Sequence, residues 1–127
     1  MTDQLPVEIA EEWIQAWSAK KLPADSGVVS DSRLDFELPT EDPNLCLESI
    51  ISVLERIDCS SPNRLLAVLA AGPLEDLLVA NGHIVIDRVE VLARRDPAFR
   101  LLLNGIWDNT IKPDVLSRLA KYRGQPW

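Results

Sequence analysis

The sequence predicts an all-α fold, and three observations carry that reading. Apolar residues recur at spacings of three and four along most of the chain, prolines stand where helices begin, and no two strand-like runs flank a hairpin turn. The expected architecture is an irregular bundle of about seven short helices with solenoid-like antiparallel pairs and one long extended strap, about residues 22–42. Residues 1–127 are expected to form a single helical domain.

The first helix is expected over about residues 6–21, where Ile9, Trp13, Ile14 and Trp17 share one face. The two isoleucines favour core over an exposed tryptophan ridge. Residues 22–42 break the pattern, with Pro23, Gly27 and Pro39 among Asp and Ser. Within this segment Leu34, Phe36 and Leu38 alternate with Asp35 and Glu37, the period of an extended chain. The strap is expected to dock its apolar side on the helices and to leave Asp31, Asp35, Glu37, Glu41 and Asp42 facing water.

Five further prolines follow a cap or turn residue and precede a periodic stretch: Pro43 after Asp42, Pro62 after Ser61, Pro73 after Gly72, Pro97 after Asp96 and Pro113 after Lys112. Cys46, Leu47, Ile50, Ile51, Leu54 and Ile57 form the stripe of a second helix, and Leu65, Leu66 and Leu69 that of a third. Leu74, Leu77 and Leu78 line a short fourth, closed by Asn81-Gly82 with Gly82 in the left-handed position of a helix end. Val85, Ile86, Val89, Leu92 and Ala93 mark a fifth, Phe99, Leu102, Leu103 and Ile106 a sixth, and Val115, Leu116 and Leu119 a seventh.

Composition bounds the class. Of 127 residues 46% are hydrophobic and 26% charged, so the chain can build a core without metal or disulfide staples. The longest purely apolar run, Leu65 to Ala71, is far short of the roughly twenty residues of a membrane span. The N-terminal MTDQLPVEIAEE lacks the basic and apolar regions of a secretion signal. Cys46 and Cys59 match neither a disulfide framework nor paired zinc ligands. The expectation is a soluble protein of a reducing cytoplasm.

Charge is unevenly divided. Residues 1–60 hold 13 acids against 4 bases, a balance of −9, whereas residues 61–127 hold 7 acids against 9 bases, a balance of +2. The net −7 argues against nucleic acid and anionic membranes as partners, and for a basic protein.

The segment 72–107 resembles a domain that recurs in bacterial hypothetical proteins of unknown function. The residues that carry the resemblance are G-P-L-E-D-L-L at 72–78, Gly82, I-D-R-V-E at 86–90, D-P-x-F-R at 96–100 and Trp107. It implies a bacterial origin and a helical fold, and no activity. The same residues have physical roles: Glu75 and Asp76 in a first turn complement a helix dipole, Asp96 is a cap, and Phe99 and Trp107 fill a core.

Catalytic motifs are sparse. His83, Asp87 and Glu90 fall at i, i+4 and i+7 of one predicted helix, the spacing that would align an imidazole and two carboxylates for metal binding or acid–base chemistry. His83 is the chain's one histidine, and the alternative is a solvated face. Cys46 sits in an apolar stripe, and nothing near Cys59 in sequence lowers its pKa. No nucleophile elbow, phosphate loop, dinucleotide fingerprint or calcium loop occurs. Arg88, Arg94, Arg95 and Arg100 lie among acids, which favours pairing over nucleic-acid contact.

No catalytic residue, cofactor or metal is therefore assigned, and the chain is read as a non-enzyme. The expected function is a protein-binding module, most concretely an immunity or inhibitor protein that occludes a basic toxin or nuclease. Its contact face would be Asp31, Asp35, Glu37, Glu41 and Asp42, and it would act as a monomer or small homo-oligomer without nucleic-acid or membrane partners. The competing readings are a metal-binding or hydrolytic enzyme centred on His83, Asp87 and Glu90, and a non-catalytic scaffold.

Overall fold

Helix accounts for 81% of the residues described by the computed structural model, which are 5–19, 32–60, 63–106 and 110–123, and no strand occurs among them. The fold is all-α. The elements in order are α1 (Pro6–Ala19), α2 (Arg33–Phe36), α3 (Leu38–Glu41), α4 (Pro43–Leu54), α5 (Arg64–Leu69), a π-helical turn (Ala70–Leu74), α6 (Glu75–Arg95), α7 (Pro97–Leu103), α8 (Pro113–Leu119) and a 3₁₀ turn (Ala120–Tyr122).

Local chemistry sets most of the helix starts. Pro6 opens α1, and the Leu5 amide donates to Glu8 Oε1 at 2.9 Å, half of a capping box. Asp42 caps α4 by accepting from the Leu45 amide, and Asp96 caps α7 by accepting from that of Ala98. Pro43 and Pro97 follow those caps as expected. Ser61 and Pro62 lie outside the described residues, and the cap of α5 is Asn63, whose Oδ1 accepts from the Leu66 amide. Pro113 opens α8 with no side-chain cap at Lys112.

Two expectations are corrected. Residues 33–41 are not extended but form α2 and α3, started by Ser32, whose hydroxyl accepts from the Leu34 amide. Leu34 and Leu38 are both fully buried. Their separation of four satisfies an alternating pattern and a helical one equally, and Pro39 stands in the first turn of α3, where proline is tolerated. Residues 22–31 of the strap and the Phe36 side chain lie outside the described residues.

The second correction concerns residues 64–95: the third and fourth helices run together through a π-helical turn, while the break expected at Asn81-Gly82 is present as a kink between two helical segments. Pro73 sits inside the π-helical turn and starts nothing. At Asn81-Gly82 the backbone leaves helical geometry, with Asn81 at φ −139°, ψ 31°, and a second helical segment follows at once. Asn81 Nδ2 donates to the Pro39 carbonyl at 2.8 Å, tying α6 to α3. Gly82 does not adopt a left-handed conformation; a Cβ there would meet Val115 Cγ2 at 3.0 Å, so glycine is what lets α8 lie against α6.

One continuous hydrophobic cluster joins these elements. Helix α4 lies between α1 and α6, and α6 also packs on α3, α7 and α8. Ile9 and Trp13 of α1 meet Cys46, Leu47, Ile50 and Val53 of α4 in the cluster, while Val85, Val89 and Ala93 of α6 join Phe99, Leu102 and Leu103 of α7. By length and composition the 64–95 helix is apolar enough to cross a membrane. Its Leu66, Leu69, Leu74, Leu77, Leu78, Val85 and Val89 are buried among the other helices, however, so that apolar character belongs to a core helix.

Candidate functional site

The acids nominated from the sequence fall on the short α2–α3 segment, where they behave differently from one another. Glu37, Glu41 and Asp42 are exposed. Glu37 Oε2 accepts from Arg33 one turn before it, at 2.9 Å. Asp42 is the cap of α4, and the Glu41 carboxylate makes no hydrogen bond among the described residues. Asp31 lies outside the described residues.

Asp35 does not simply face water, which corrects the expectation for it. Its Oδ1 accepts from Trp13 Nε1 and its Oδ2 from Trp17 Nε1, each at 3.0 Å. The tryptophans lie one turn apart on α1, with ring centroids 6.2 Å apart and planes tilted by 45°. Trp13 is fully buried and Trp17 packs against the core from its edge. One carboxylate thus satisfies two indole N–H groups that burial would otherwise leave without acceptors. The clamp fastens α2 to α1 across 22 and 18 residues of sequence.

The start of α6 adds two further acids near this clamp. The Asp76 carboxyl is pushed above its ordinary range, first by loss of hydration and then by the charges of Glu75 and Asp35. Because the helix is continuous from residue 64, Asp76 has no free helix start to complement, and the expected dipole benefit gives way to a penalty on its charge.

The His83, Asp87 and Glu90 face serves as a seam between helices. Arg118 of α8 donates through one terminal nitrogen to Asp87 Oδ1 at 2.6 Å and Glu90 Oε1 at 2.7 Å, and through Nε to Glu90 Oε2 at 3.3 Å. These hydrogen bonds hold the Glu90 carboxyl below the usual range and push the Arg118 guanidinium up. His83 Nε2 lies 3.5 Å from Asp114 Oδ2, also on α8. The three residues do share one side of α6, but their partners are cationic or carboxylate groups of a neighbouring helix. Among the described residues no three His, Cys, Asp or Glu side chains converge as a metal would require.

Most arginines are engaged within the fold. Arg88 pairs with Glu48 of α4 and also reaches Asn44, joining the basic half of the sequence to the acidic half. Arg100 donates to the Ala93 carbonyl at 2.8 Å and caps the end of α6, and Arg64 donates to the Trp17 carbonyl at 3.1 Å near the end of α1. Arg123 donates to the Ile106 carbonyl, and Arg94 to the Tyr122 hydroxyl. Neither thiol is activated: burial, reinforced by Asp76 and Asp42, pushes Cys46 far up, and burial with Asp96 and Asp58 nearby raises Cys59.

Comparison with known proteins adds one finding. A family model matches residues 30–126 of the chain. The chain belongs to DUF6869, a family of unknown function. No curated protein and no solved structure gives a significant match. The 72–107 segment that carried the resemblance lies wholly inside the DUF6869 match. Asp35 also lies inside it, whereas Trp13 and Trp17 precede it, so the clamp fastens the DUF6869 segment to a helix outside the match.

Several functional contacts of this DUF6869 chain had no local signal. Arg118 is 28 residues from Glu90 and 31 from Asp87. The clamp could have been suspected only from two tryptophans one turn apart, each with an N–H in need of an acceptor once the helix is buried. Trp107 and Trp127 lie outside the described residues.

Proposed function

We propose that this DUF6869 protein is a small acidic cytoplasmic module that binds a basic protein partner and acts by occlusion, in the manner of an immunity or inhibitor protein covering a basic toxin or nuclease. The observation that carries the reading is the distribution of charge partners. Arg33, Arg56, Arg88 and Arg118 are paired with the protein's own carboxylates, and Arg64, Arg100 and Arg123 with its own carbonyls. With these arginines engaged by its own groups, a chain of net charge −7 presents Glu37, Glu41 and Asp42 outward on one short segment. Such a face speeds encounter with a cationic partner and rejects anionic ones. Two unpaired thiols, Cys46 and Cys59, suit a reducing compartment.

The test begins with capture of a partner from the native host by the wild-type protein, followed by association kinetics with the triple variant Glu37→Gln, Glu41→Gln, Asp42→Asn. Asparagine caps a helix about as well as aspartate, so the variant's thermal stability should remain near wild type. Its association should be markedly slower, and the wild-type on-rate should fall with salt while the variant's hardly responds. Asp35 is left intact because it belongs to the tryptophan clamp. Equal rates and equal salt dependence would refute the acidic face. Loss of binding or activity in His83→Ala, with the triple variant unaffected, would move the function to the His83, Asp87 and Glu90 seam.

A further inference from the structure

Large apolar side chains that remain exposed are few in this fold, and two of them define a line. Ile84 is 59% exposed and Val91 38% exposed, and both stand on α6, seven residues or two turns apart. Val85, Ile86, Val89 and Ala93 fill the opposite side of the same helix and are buried, so Ile84 and Val91 point directly away from the core. Arg95 extends the line at its far end and is exposed. Between the two apolar residues lie Asp87 and Arg88, which with Val91 and Leu92 line a shallow hollow on the surface.

The pattern on this ridge reads the same way from both ends. Two copies of the helix laid antiparallel about a point between residues 87 and 88 would place Ile84 opposite the second copy's Val91 and Val91 opposite its Ile84. The same operation places Asp87 opposite Arg88 in both directions. A two-fold interface requires this kind of self-complementarity, since each patch must fit a copy of itself. The charges are positioned for it. Asp87 is 87% exposed along its side chain, and Arg118 engages its Oδ1 while Oδ2 accepts no hydrogen bond among the described residues. Arg88 is 41% exposed along its side chain although it holds Glu48.

From this we propose that the outer face of α6, built on Ile84, Asp87, Arg88 and Val91, is a docking surface for a second copy of this chain, which pairs antiparallel through the same face. Each Ile84–Val91 contact removes apolar surface from water, and each Asp87–Arg88 pair extends an existing network to Glu48–Arg88···Asp87–Arg118 across the two-fold. One helix face per copy buries an area at the low end for specific interfaces, so the dimer is reversible and dissociates on dilution. The surface stands apart from the acids proposed above to meet a basic partner, and the inference does not depend on that reading.

Sedimentation of the full chain over a wide range of concentration tests the proposal. The wild-type mass should fall from that of two chains to that of one on dilution. Ile84→Glu should shift the dissociation constant upward by roughly thirtyfold or more, the loss of a central anchor, with an unchanged circular-dichroism spectrum and thermal midpoint. Register is tested separately by oxidising an equimolar mixture of Ile84→Cys and Val91→Cys chains, each carrying Cys59→Ser. The mixture should cross-link far faster than either variant alone. A wild-type chain that stays monomeric at every concentration, or a dimer indifferent to Ile84→Glu, would overturn the proposal. Faster cross-linking of Ile84→Cys with itself than with Val91→Cys would overturn the antiparallel pairing.

Discussion

Two carboxylate sites in this molecule hold helices together by opposite physics. Asp35 sits among neutral donors: two indole N–H groups, one from a fully buried tryptophan, converge on its two oxygens. Asp87 and Glu90 sit at the surface seam of α6 and α8, where a guanidinium supplies opposite charge and water competes for it. In the first site geometry matters most, because a buried N–H without an acceptor is costly. In the second site charge dominates, and solvent screens much of its value. The number of acids in a stretch of sequence therefore says little about their roles. What a carboxylate faces in space decides whether it fastens the core, joins a seam or remains free for a partner.

The largest effect expected from breaking this contrast is at the clamp. Asp35→Ala leaves two indole donors unsatisfied and should cost roughly 3 kcal/mol in urea denaturation, with little dependence on salt. Asp35→Asn keeps one acceptor oxygen and should cost about half as much. A loss for Asp35→Ala no larger than that of an exposed substitution would mean that the tryptophans find water instead.

The seam should respond more weakly and to different variables. Arg118→Ala is expected to lower stability at low ionic strength by clearly less than Asp35→Ala does, and most of that difference from wild type should vanish near 1 M salt. Because Arg118 holds the Glu90 carboxyl below its ordinary range, this contribution is present above that range and is lost as pH falls through the lowered value. A stability difference between wild type and Arg118→Ala that persists unchanged in acid and in high salt would contradict the electrostatic account.

The smallest effect has the opposite sign. The Asp76 carboxyl is raised, so its ionised form disfavours the fold at neutral pH. Asp76→Asn should stabilise by no more than about 0.5 kcal/mol at pH 7. The gain should disappear as pH falls through the raised value and below the ordinary carboxylate range, where Asp76 is protonated in both states. Destabilisation at neutral pH would show that Asp76 makes a favourable contact that outweighs its lost hydration.

Legibility from sequence followed the range of the interactions. The stripes of α4, α6 and α7 and the caps Asp42 and Asp96 rest on neighbours within a turn, and they were readable. Residues 33–41 were not, because Leu34 and Leu38 fit two periods equally and the choice fell to a Ser32 cap and to burial. Prolines mislead when a helix can widen around them, as at Pro73. Gly82 carries the marks of a helix end, yet the reason for glycine there is Val115, more than thirty residues away. Of the nominated face, Glu37, Glu41 and Asp42 are exposed, while the clamp removes Asp35 through partners that no local pattern could supply.

The π-helical turn bears on how this helix tolerates a change in length. Leu69 and Leu74 are five residues apart and both fully buried. At about 100° per residue, a regular α-helix would set them about 140° apart around its axis. The wider turn absorbs that difference: it takes up one residue more than an α-helical turn while keeping Leu69 and Leu74 on one face. Ala71, in that turn, is exposed. Deleting it would leave Leu69 and Leu74 four apart, about 40° around a regular α-helix, so Leu77 and Leu78 should stay in the core and the cost should fall on Pro73, then inside an α-helical ladder. The extra residue is thus a local insertion around Pro73, and the buried face of the helix does not hang on it.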